Sequence, residues 1–315
     1  MAVIGTSDLD VFPLALGGNT FGWTSDATES EAVLDAFVAG GGNFVDTADG
    51  YSSWAPGNVG GESELILGEW MRQRGNRDSI VIGTKVGQHP DFPGLSAGSV
   101  SAGADASLER LGTDYIDLYY AHFDDEETEL EETVSAFNNL VVAGKVRHVA
   151  ISNYTAERAR EWIAISQRNG FALPVAIQPP YNLVNRTVFE GERAALAAEF
   201  SLGVLPYSGL ASGFLTGKYR TAADTDGKAR GSAASRYLND HGLAVIDQLE
   251  SVASEQGASM ATTALAWLLS RPGVVAPIAS ARVPEQLGDL MAAPTLTLTA
   301  EQLNALDEVS AMVAA

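Results

Sequence analysis

Short runs of β-branched and aromatic residues alternate along this chain with longer amphipathic stretches, and this alternation constrains the fold more than any other sequence feature. Eight such runs are predicted strands, at residues 14–16, 43–46, 80–85, 116–122, 146–152, 175–178, 204–207 and 274–278. The stretches between them are predicted helices, at residues 29–39, 63–74, 100–111, 128–143, 155–168, 189–200 and 244–269, the last broken near Gly257. This repeat predicts an α/β fold with a parallel sheet.

The repeat fills the chain without a linker. Glycines follow the last periodic residue of five predicted helices, as expected at helix ends: Gly40, Gly75, Gly112, Gly144 and Gly170. Eight strand–helix units in 315 residues favour one closed (β/α)8 (TIM) barrel domain over residues 1–315. An open parallel sheet is the alternative, but it usually carries a G-x-G-x-x-G turn after its first strand, and residues 17–22 do not fit that spacing.

Three segments depart from the bare repeat. Residues 1–12 predict a β-hairpin that covers the bottom of the barrel. Residues 209–241 separate the seventh strand from its helix, and loops of this length are typical of lids or binding loops. At the other end of the chain, residues 298–312 predict an additional C-terminal amphipathic helix with Thr299 as its N-cap.

Composition excludes several classes of protein. The chain has 19 Lys and Arg against 40 Asp and Glu, a net charge of −21, which argues against nucleic-acid binding. It has no cysteine, so disulfides, thiolate metal sites and cysteine nucleophiles are excluded. Residues 1–10 lack the pattern of a signal peptide, and no apolar run is long enough for a membrane span. We therefore expect a cytoplasmic protein without a membrane partner, either a monomer or a homo-oligomer.

Four chemically active residues follow predicted strands, where the functional groups of such barrels lie. Asp46 ends the second strand, Tyr51 lies in the loop after it, Lys85 ends the third strand and His122 ends the fourth. Singly, each has an ordinary structural explanation. Together they predict that the Lys85 ammonium lowers the pKa of Tyr51, so that the tyrosine can protonate a carbonyl oxygen, while Asp46 keeps the lysine charged and His122 orients the carbonyl.

The strings DTADGY, GTK and YYAHFD at these positions closely resemble the aldo-keto reductases, NADPH-dependent (β/α)8-barrel enzymes, and the resemblance covers essentially the whole chain. It implies a catalytic tetrad of Asp46, Tyr51, Lys85 and His122, with Tyr51 as the general acid. It also implies direct hydride transfer from the nicotinamide to an aldehyde or ketone, with no metal and no covalent intermediate. The remaining histidines show no metal-ligand spacing.

The same resemblance implies a site for NADP(H), with NAD(H) as the alternative. The implied coenzyme contacts are Gly18, Asn19, Asp46, Ser152, Asn153, Gln178, Tyr207, Ser208, Leu210, Gly213, Leu215, Lys218, Ser280, Arg282, Gln286 and Asp289. The loop from Ser208 is expected to wrap the pyrophosphate, and Arg282 to bind the 2′-phosphate, on which the preference for NADP depends. Ser280 replaces a common glycine of the family, and Leu290 replaces a common asparagine at the adenine.

The substrate is expected to be a small carbonyl or alcohol. Trp23 and Trp54 on loops are predicted to form walls of its pocket beside Tyr51 and His122, which suits an aryl or a sugar-derived carbonyl. Two alternatives from other classes stay open. One is a non-catalytic NADPH-binding redox sensor, because β subunits of voltage-gated potassium channels share this fold and tetrad. The other is an aldolase in which Lys85 forms a Schiff base.

Overall fold

The computed structural model describes residues 1–311, and its centre is a sheet of eight parallel strands preceded by a two-stranded hairpin. The hairpin strands are β1 (Ala2–Val3) and β2 (Asp10–Val11), and the barrel strands are β3 (Ala15–Gly17), β4 (Phe44–Asp46), β5 (Val81–Val86), β6 (Ile116–Ala121), β7 (Val146–Ser152), β8 (Pro174–Gln178), β9 (Gly203–Val204) and β10 (Ile278–Ala279). The spatial order is β10-β3-β4-β5-β6-β7-β8-β9. A parallel bridge between Val204 and Val274 joins the two edges. The predicted (β/α)8 barrel is confirmed, and the open sheet is wrong.

Helices surround this sheet, and every predicted helix is present. They are α1 (Ala27–Ala39), α2 (Glu62–Arg74), α3 (Ala97–Leu111), α4 (Leu130–Val142), α5 (Ala156–Asn169), α6 (Glu192–Glu199), α7 (Gly231–Ser235), α8 (Asp240–Gln256), α9 (Met260–Leu269), α10 (Leu287–Met291) and α11 (Ala300–Ala311). The predicted break near Gly257 separates α8 from α9, and this glycine has a left-handed φ of 61°. Such a conformation ends a helix with little strain only at glycine or asparagine.

The hairpin closes the bottom of the barrel, as predicted. β1 and β2 are antiparallel, and Ile4 and Leu9 between them are buried in one cluster with barrel residues such as Phe44. Gly5 has a φ of 52°, and a Cβ there would lie 2.1 Å from the carbonyl oxygen of Val175. Only glycine therefore permits this close approach, and the opposite end of the barrel is left for function.

The long loop after β9 and the C-terminal segment also follow the predictions. Two 3-10 helices, Ala211–Thr216 and Ala222–Thr225, and the short α7 lie between β9 and α8. Thr299 accepts a hydrogen bond from the backbone N–H of Gln302 (3.2 Å) at the start of α11, whose predicted last residue, Met312, lies outside the described residues. In residues 1–311, no helix has the length and apolar character needed to cross a membrane.

Candidate active site

Lys85 is the centre of a buried polar group at the carboxyl ends of β4 and β5. Its side chain is fully buried, and Nζ donates to Asp46 Oδ1 (2.6 Å), to the carbonyl oxygen of Thr47 (2.7 Å) and to the Tyr51 hydroxyl (3.0 Å). The Tyr51 hydroxyl also lies 3.5 Å from Asp46 Oδ1. The neighbouring parallel strands bring Asp46 and Lys85 together, because their carboxyl ends meet at one edge of the sheet.

The charges of this group differ in one respect from the sequence prediction. Burial lowers the pKa of Lys85, but the negative charge of Asp46 and the contact with Tyr51 outweigh it, so the net pKa is raised and the amine stays protonated. Burial raises the pKa of Tyr51, and the opposing effect of Lys85 is smaller. The predicted lowering of the tyrosine pKa is therefore wrong in its net direction, since desolvation disfavours the phenolate more than the ammonium favours it.

The lysine is also poorly suited to the aldolase alternative. A Schiff base requires a neutral amine that can attack a carbonyl carbon. Lys85 Nζ instead donates to three oxygens and has a raised pKa. The geometry therefore argues against covalent chemistry at this residue.

His122 follows β6 and lies beside Tyr51 at the carboxyl ends of the strands, where the active-site cleft of such a barrel is expected. Its ring centroid lies 6.1 Å from that of Tyr51. Burial and the positive charge of Lys85 hold the pKa of His122 well below its usual 6.5, so the imidazole is neutral. Its Nδ1 is buried and has no hydrogen-bond partner among residues 1–311, which leaves Nε2 as the nitrogen that can reach a substrate.

Aromatic side chains form one wall of the cleft. The rings of Trp23 and Trp54 meet edge to face at 5.6 Å, and Trp54 also contacts Tyr51 at 6.2 Å. Phe123 stacks on His122 at 4.9 Å. Trp54 and Phe123 are 52% and 42% exposed, so apolar surface is available beside the polar group.

A hydrogen-bond network connects the tetrad to four of the predicted nicotinamide residues. Gln178 Nε2 donates to Asp46 Oδ2 (2.8 Å), and the backbone oxygen of Gln178 accepts from Ser152 Oγ (2.9 Å). Asn153 Nδ2 donates to Ser152 Oγ (3.0 Å), while its Oδ1 accepts from the Tyr207 hydroxyl (2.8 Å). The structure therefore brings these side chains together beside Lys85.

The loop after β9 has an unusual backbone. Ser208, Ala211 and Ser212 have left-handed φ values of 56°, 49° and 58°, and Gly213 follows with a φ of 89°. The N–H groups of Ala211 and Gly213 donate to the carbonyl oxygens of Ser208 and Leu210 within the loop, both at 2.8 Å, so hydrogen bonds inside the loop stabilise this shape. The side chain of Leu215 is fully buried and its N–H donates to the carbonyl oxygen of Leu210 (3.3 Å), so its contact with a coenzyme stays a prediction.

Cations converge at the outer end of this cleft. Partial desolvation and the neighbouring guanidinium groups of Arg282 and Arg230 lower the pKa of Lys218. Burial and Arg282 likewise lower the pKa of Arg230. In residues 1–311, these three cations form no salt bridge. Asn19 Oδ1 accepts from Ser280 Oγ (2.6 Å) and from Arg230 (3.2 Å), so two predicted coenzyme residues lie beside the cations.

Three further predicted coenzyme residues, Gln286, Asp289 and Gly18, lie around the start of α10 and directly after β3. Gln286 Oε1 accepts from the backbone N–H of Arg282 (2.8 Å), which orients the arginine segment. Asp289 is exposed, whereas Leu290 is buried in the core, so the leucine does not face the cleft. Gly18 is buried, and its carbonyl oxygen accepts from a serine hydroxyl of α2 (2.8 Å).

Residues 13–311 match the aldo/keto reductase family. The chain belongs to this family. Aldo/keto reductases are oxidoreductases that generally use nicotinamide coenzymes, so the resemblance noted in the sequence is confirmed at the level of the family.

Individual relatives cover nearly the whole chain. A probable voltage-gated potassium channel subunit beta of Oryza sativa subsp. japonica is 36% identical over 92% of this chain and 89% of its own length. An L-glyceraldehyde 3-phosphate reductase of Escherichia coli O157:H7 is 33% identical, with coverage of 96% and 90%. An aryl-alcohol dehydrogenase [NADP(+)] of Phanerodontia chrysosporium is 31% identical, with coverage of 95% and 83%.

Two residues at this aldo/keto reductase cleft were not singled out by the sequence. Phe123 directly follows His122, and its position just beyond a buried strand was the available signal. Arg230 is one of five basic residues in the segment 209–241, a clear excess for an acidic chain. Its contact with Asn19, 211 residues away, is visible only in three dimensions.

Proposed function

We propose that this protein is an NADPH-dependent reductase of aldehydes or ketones, with Tyr51 as the general acid and Asp46, Lys85 and His122 completing the catalytic tetrad. The observation that carries the proposal is the 3.0 Å contact between Lys85 Nζ and the Tyr51 hydroxyl in a group where Asp46 keeps the lysine charged. When bound, the coenzyme supplies the hydride. The chain supplies the proton, the orientation of the carbonyl and the exclusion of water.

Proton donation follows from the charges of the tetrad. Because the pKa of Tyr51 is raised, the hydroxyl keeps its proton at neutral pH. As the proton moves to the carbonyl oxygen, negative charge grows on the tyrosine oxygen beside the Lys85 ammonium. That ammonium interacts more strongly with the developing phenolate than with the neutral phenol, so it stabilises the transition state more than the ground state. Neutral His122 offers an N–H to the carbonyl oxygen.

The residues of the cleft fit a phosphorylated dinucleotide. Lys218 and Arg230 of the loop after β9, together with Arg282, are cations without an acidic partner in the part of the chain that the structure describes. Such cations lower each other's pKa and gain most from an anion. The third phosphate of NADPH supplies one more anion than NADH, which supports the preference for NADPH.

The aromatic wall supports aryl carbonyls as good substrates. Trp23, Trp54 and Phe123 offer ring faces and edges beside Tyr51 and His122. Aromatic rings pack favourably in offset or edge-to-face arrangements with rings of this kind. A small hydroxylated aldehyde would leave most of this surface uncovered, and we therefore expect it to bind more weakly.

Replacement of Tyr51 by phenylalanine tests the proposal. Loss of the acid is expected to lower kcat for reduction of benzaldehyde at least 100-fold, within the range ascribed to general acid catalysis. The Kd of NADPH, from fluorescence quenching, should stay within about twofold, since the hydroxyl is not a coenzyme ligand. Tyr115→Phe is the matched control, because its hydroxyl contacts Asp78 (3.3 Å) far from the cleft. Wild-type turnover in Tyr51→Phe would contradict the assignment.

A regulatory subunit is a second candidate, favoured by the 36% identity to a probable potassium channel subunit beta. Both candidates bind the coenzyme, so binding does not separate them. Turnover separates them. A catalyst should oxidise NADPH over many cycles with members of a panel of aryl and aliphatic carbonyls, and this oxidation is measured at 340 nm. A regulatory protein would bind NADPH without sustained oxidation on any member of the panel.

A further inference from the structure

A second group of buried ionisable side chains lies beside the tetrad, and the proposed mechanism does not use it. Asp49 and Glu64 are both fully buried. Glu64 accepts from Arg110 Nε (2.7 Å) and from the Thr84 hydroxyl, so its charge is balanced. Asp49 has no cation partner in the described part of the chain. One of its oxygens, Oδ2, accepts the backbone N–H of Gly87 (3.2 Å), and the other, Oδ1, is buried without a partner.

Asp49 joins the two segments that carry Tyr51 and Lys85. It precedes Tyr51 by two residues, and its backbone N–H donates to the carbonyl oxygen of Lys85 (3.0 Å). Its carboxylate accepts from Gly87, two residues beyond Lys85. The main chain and the side chain of Asp49 therefore hold the loop that carries Tyr51 against the end of β5. The contact between Lys85 and Tyr51 crosses this same junction between the loop and β5.

We propose that Asp49 is a positioning residue whose carboxylate holds Tyr51 in place beside Lys85, and that binding of a proton to this carboxylate loosens the junction and slows catalysis. The inference rests on the proposed function, because it assigns a pH dependence to the same tetrad. An ionised acceptor forms a stronger hydrogen bond with the Gly87 N–H than a neutral acid does. Displacements of about 1 Å at a catalytic group can cost two orders of magnitude in rate.

The surroundings of Asp49 allow this proton to bind near neutral pH. Burial and the negative charge of Glu64 raise the pKa of Asp49 to about 7, while backbone N–H groups and Arg110 oppose the rise. From β6, the hydroxyl of Tyr119 is buried and has no hydrogen-bond partner in the described part of the chain, and burial and the negative charge of Asp49 raise its pKa well above 10. His89, in the segment after β5, is also buried, and its ring lies near the backbone of the loop that contains Asp49.

Lys85, Tyr51 and His122 contribute no competing titration near neutrality. The pKa values of Lys85 and Tyr51 are raised above their ordinary values of about 10, and that of His122 is well below 6.5. A one-proton step in the rate between pH 6 and 8 therefore distinguishes Asp49 from direct titration of these three groups.

The first measurement is the single-turnover rate of NADPH oxidation with saturating benzaldehyde between pH 5 and pH 8.5. We expect the rate to rise about tenfold with a single midpoint near 7. The series is repeated with saturating NADH, because a phosphate monoester has its own pKa near 6 and NADH lacks the 2′-phosphate. The same midpoint with both coenzymes is expected if the proton binds to the protein.

Two variants then identify the group. Asp49→Asn resembles the protonated acid, so its rate is expected to stay at the acidic level across this range, with a lowered kcat and little change in KM. Glu64→Gln removes a negative charge and leaves Arg110 unpaired, so it should move the midpoint to lower pH. Asp117→Asn is the control for loss of a buried carboxylate, since Asp117 pairs with Arg77 (2.8 Å) and its profile should match the wild type.

The outcomes separate this inference from the proposed function. A wild-type rate that is flat from pH 5 to 8.5, or an unchanged midpoint in Asp49→Asn, overturns the role of Asp49 while reduction itself remains. If Asp49→Asn does not fold, an unshifted midpoint in Glu64→Gln overturns it equally. Absence of reduction in the wild type with every carbonyl rejects both proposals.

Discussion

Asp49→Asn is expected to stabilise the protein above neutral pH, by an amount that follows from its burial. The side chain is fully buried with a pKa of about 7, whereas aspartate in an unfolded chain titrates near 3.9. A gap of about three pH units corresponds to about 4 kcal/mol, because each unit is worth about 1.36 kcal/mol. The folded protein binds the proton more tightly, so this contribution is fully present below pH ~4 and is lost as the pH rises through 7.

The assay is urea unfolding followed by tryptophan fluorescence, for the wild type and Asp49→Asn between pH 4.5 and 8. The variant does not titrate at this position, so its free energy of unfolding relative to the wild type should increase by about 3 kcal/mol across this range. An unsatisfied amide in the variant costs about 1–3 kcal/mol, but equally at each pH, so it alters the offset and not the slope.

Asp117→Asn is expected to change the free energy of unfolding in the opposite direction in the same assay. Asp117 is buried and pairs with Arg77 and with Arg147, both at 2.8 Å. Removal of this buried carboxylate leaves Arg77 without its acidic partner and Arg147 with Asp8 alone (2.9 Å), and the variant should be less stable than the wild type at pH 8. If the stability of Asp49→Asn relative to the wild type were the same at pH 4.5 and pH 8, the buried charge would carry no cost and the reasoning would be refuted.

Two further predictions concern the ligands. Arg282→Ala should raise the Kd of NADPH at least tenfold more than that of NADH, since a charge-assisted hydrogen bond to a phosphate is worth about 1.5–3 kcal/mol; equal changes in fluorescence titrations would show that this arginine does not contact the 2′-phosphate. Trp54→Ala should raise the KM for benzaldehyde about fivefold and leave that for propanal within twofold, because stacking contributes about 0.5–1.5 kcal/mol; equal effects on the two KM values would exclude Trp54 from the aryl pocket.

The adjacency of Asp46 and Lys85 was predictable because it depends on strand order alone. Once β4 and β5 are neighbours, Asp46 and Lys85 must end side by side. The net pKa of Tyr51 was not predictable, because it depends on how completely the surrounding chain removes water from the ring. The charge of Lys85 is evident from the sequence, whereas the burial of the Tyr51 ring is not.

The difference between the surroundings of Asp46 and Asp49 was not predictable from the sequence. Both belong to the string DTADGY. The Asp46 carboxylate accepts a hydrogen bond from Lys85, whereas the Asp49 carboxylate accepts one from a backbone N–H group and lies near the negative charge of Glu64. The second environment is assembled by packing of α2 and α3 against β5, with Arg110 contributed from far along the chain. The spacing of residues within DTADGY gives no information about this environment of Asp49.

The left-handed residues of the loop after β9 have a consequence for redesign of the protein. Ser208, Ala211 and Ser212 each hold a conformation that costs about 1 kcal/mol or more for a residue with a Cβ. Substitutions at these three positions, above all by β-branched residues, would add to that cost. A change of coenzyme preference is therefore better engineered at side chains such as Arg282 than in this backbone.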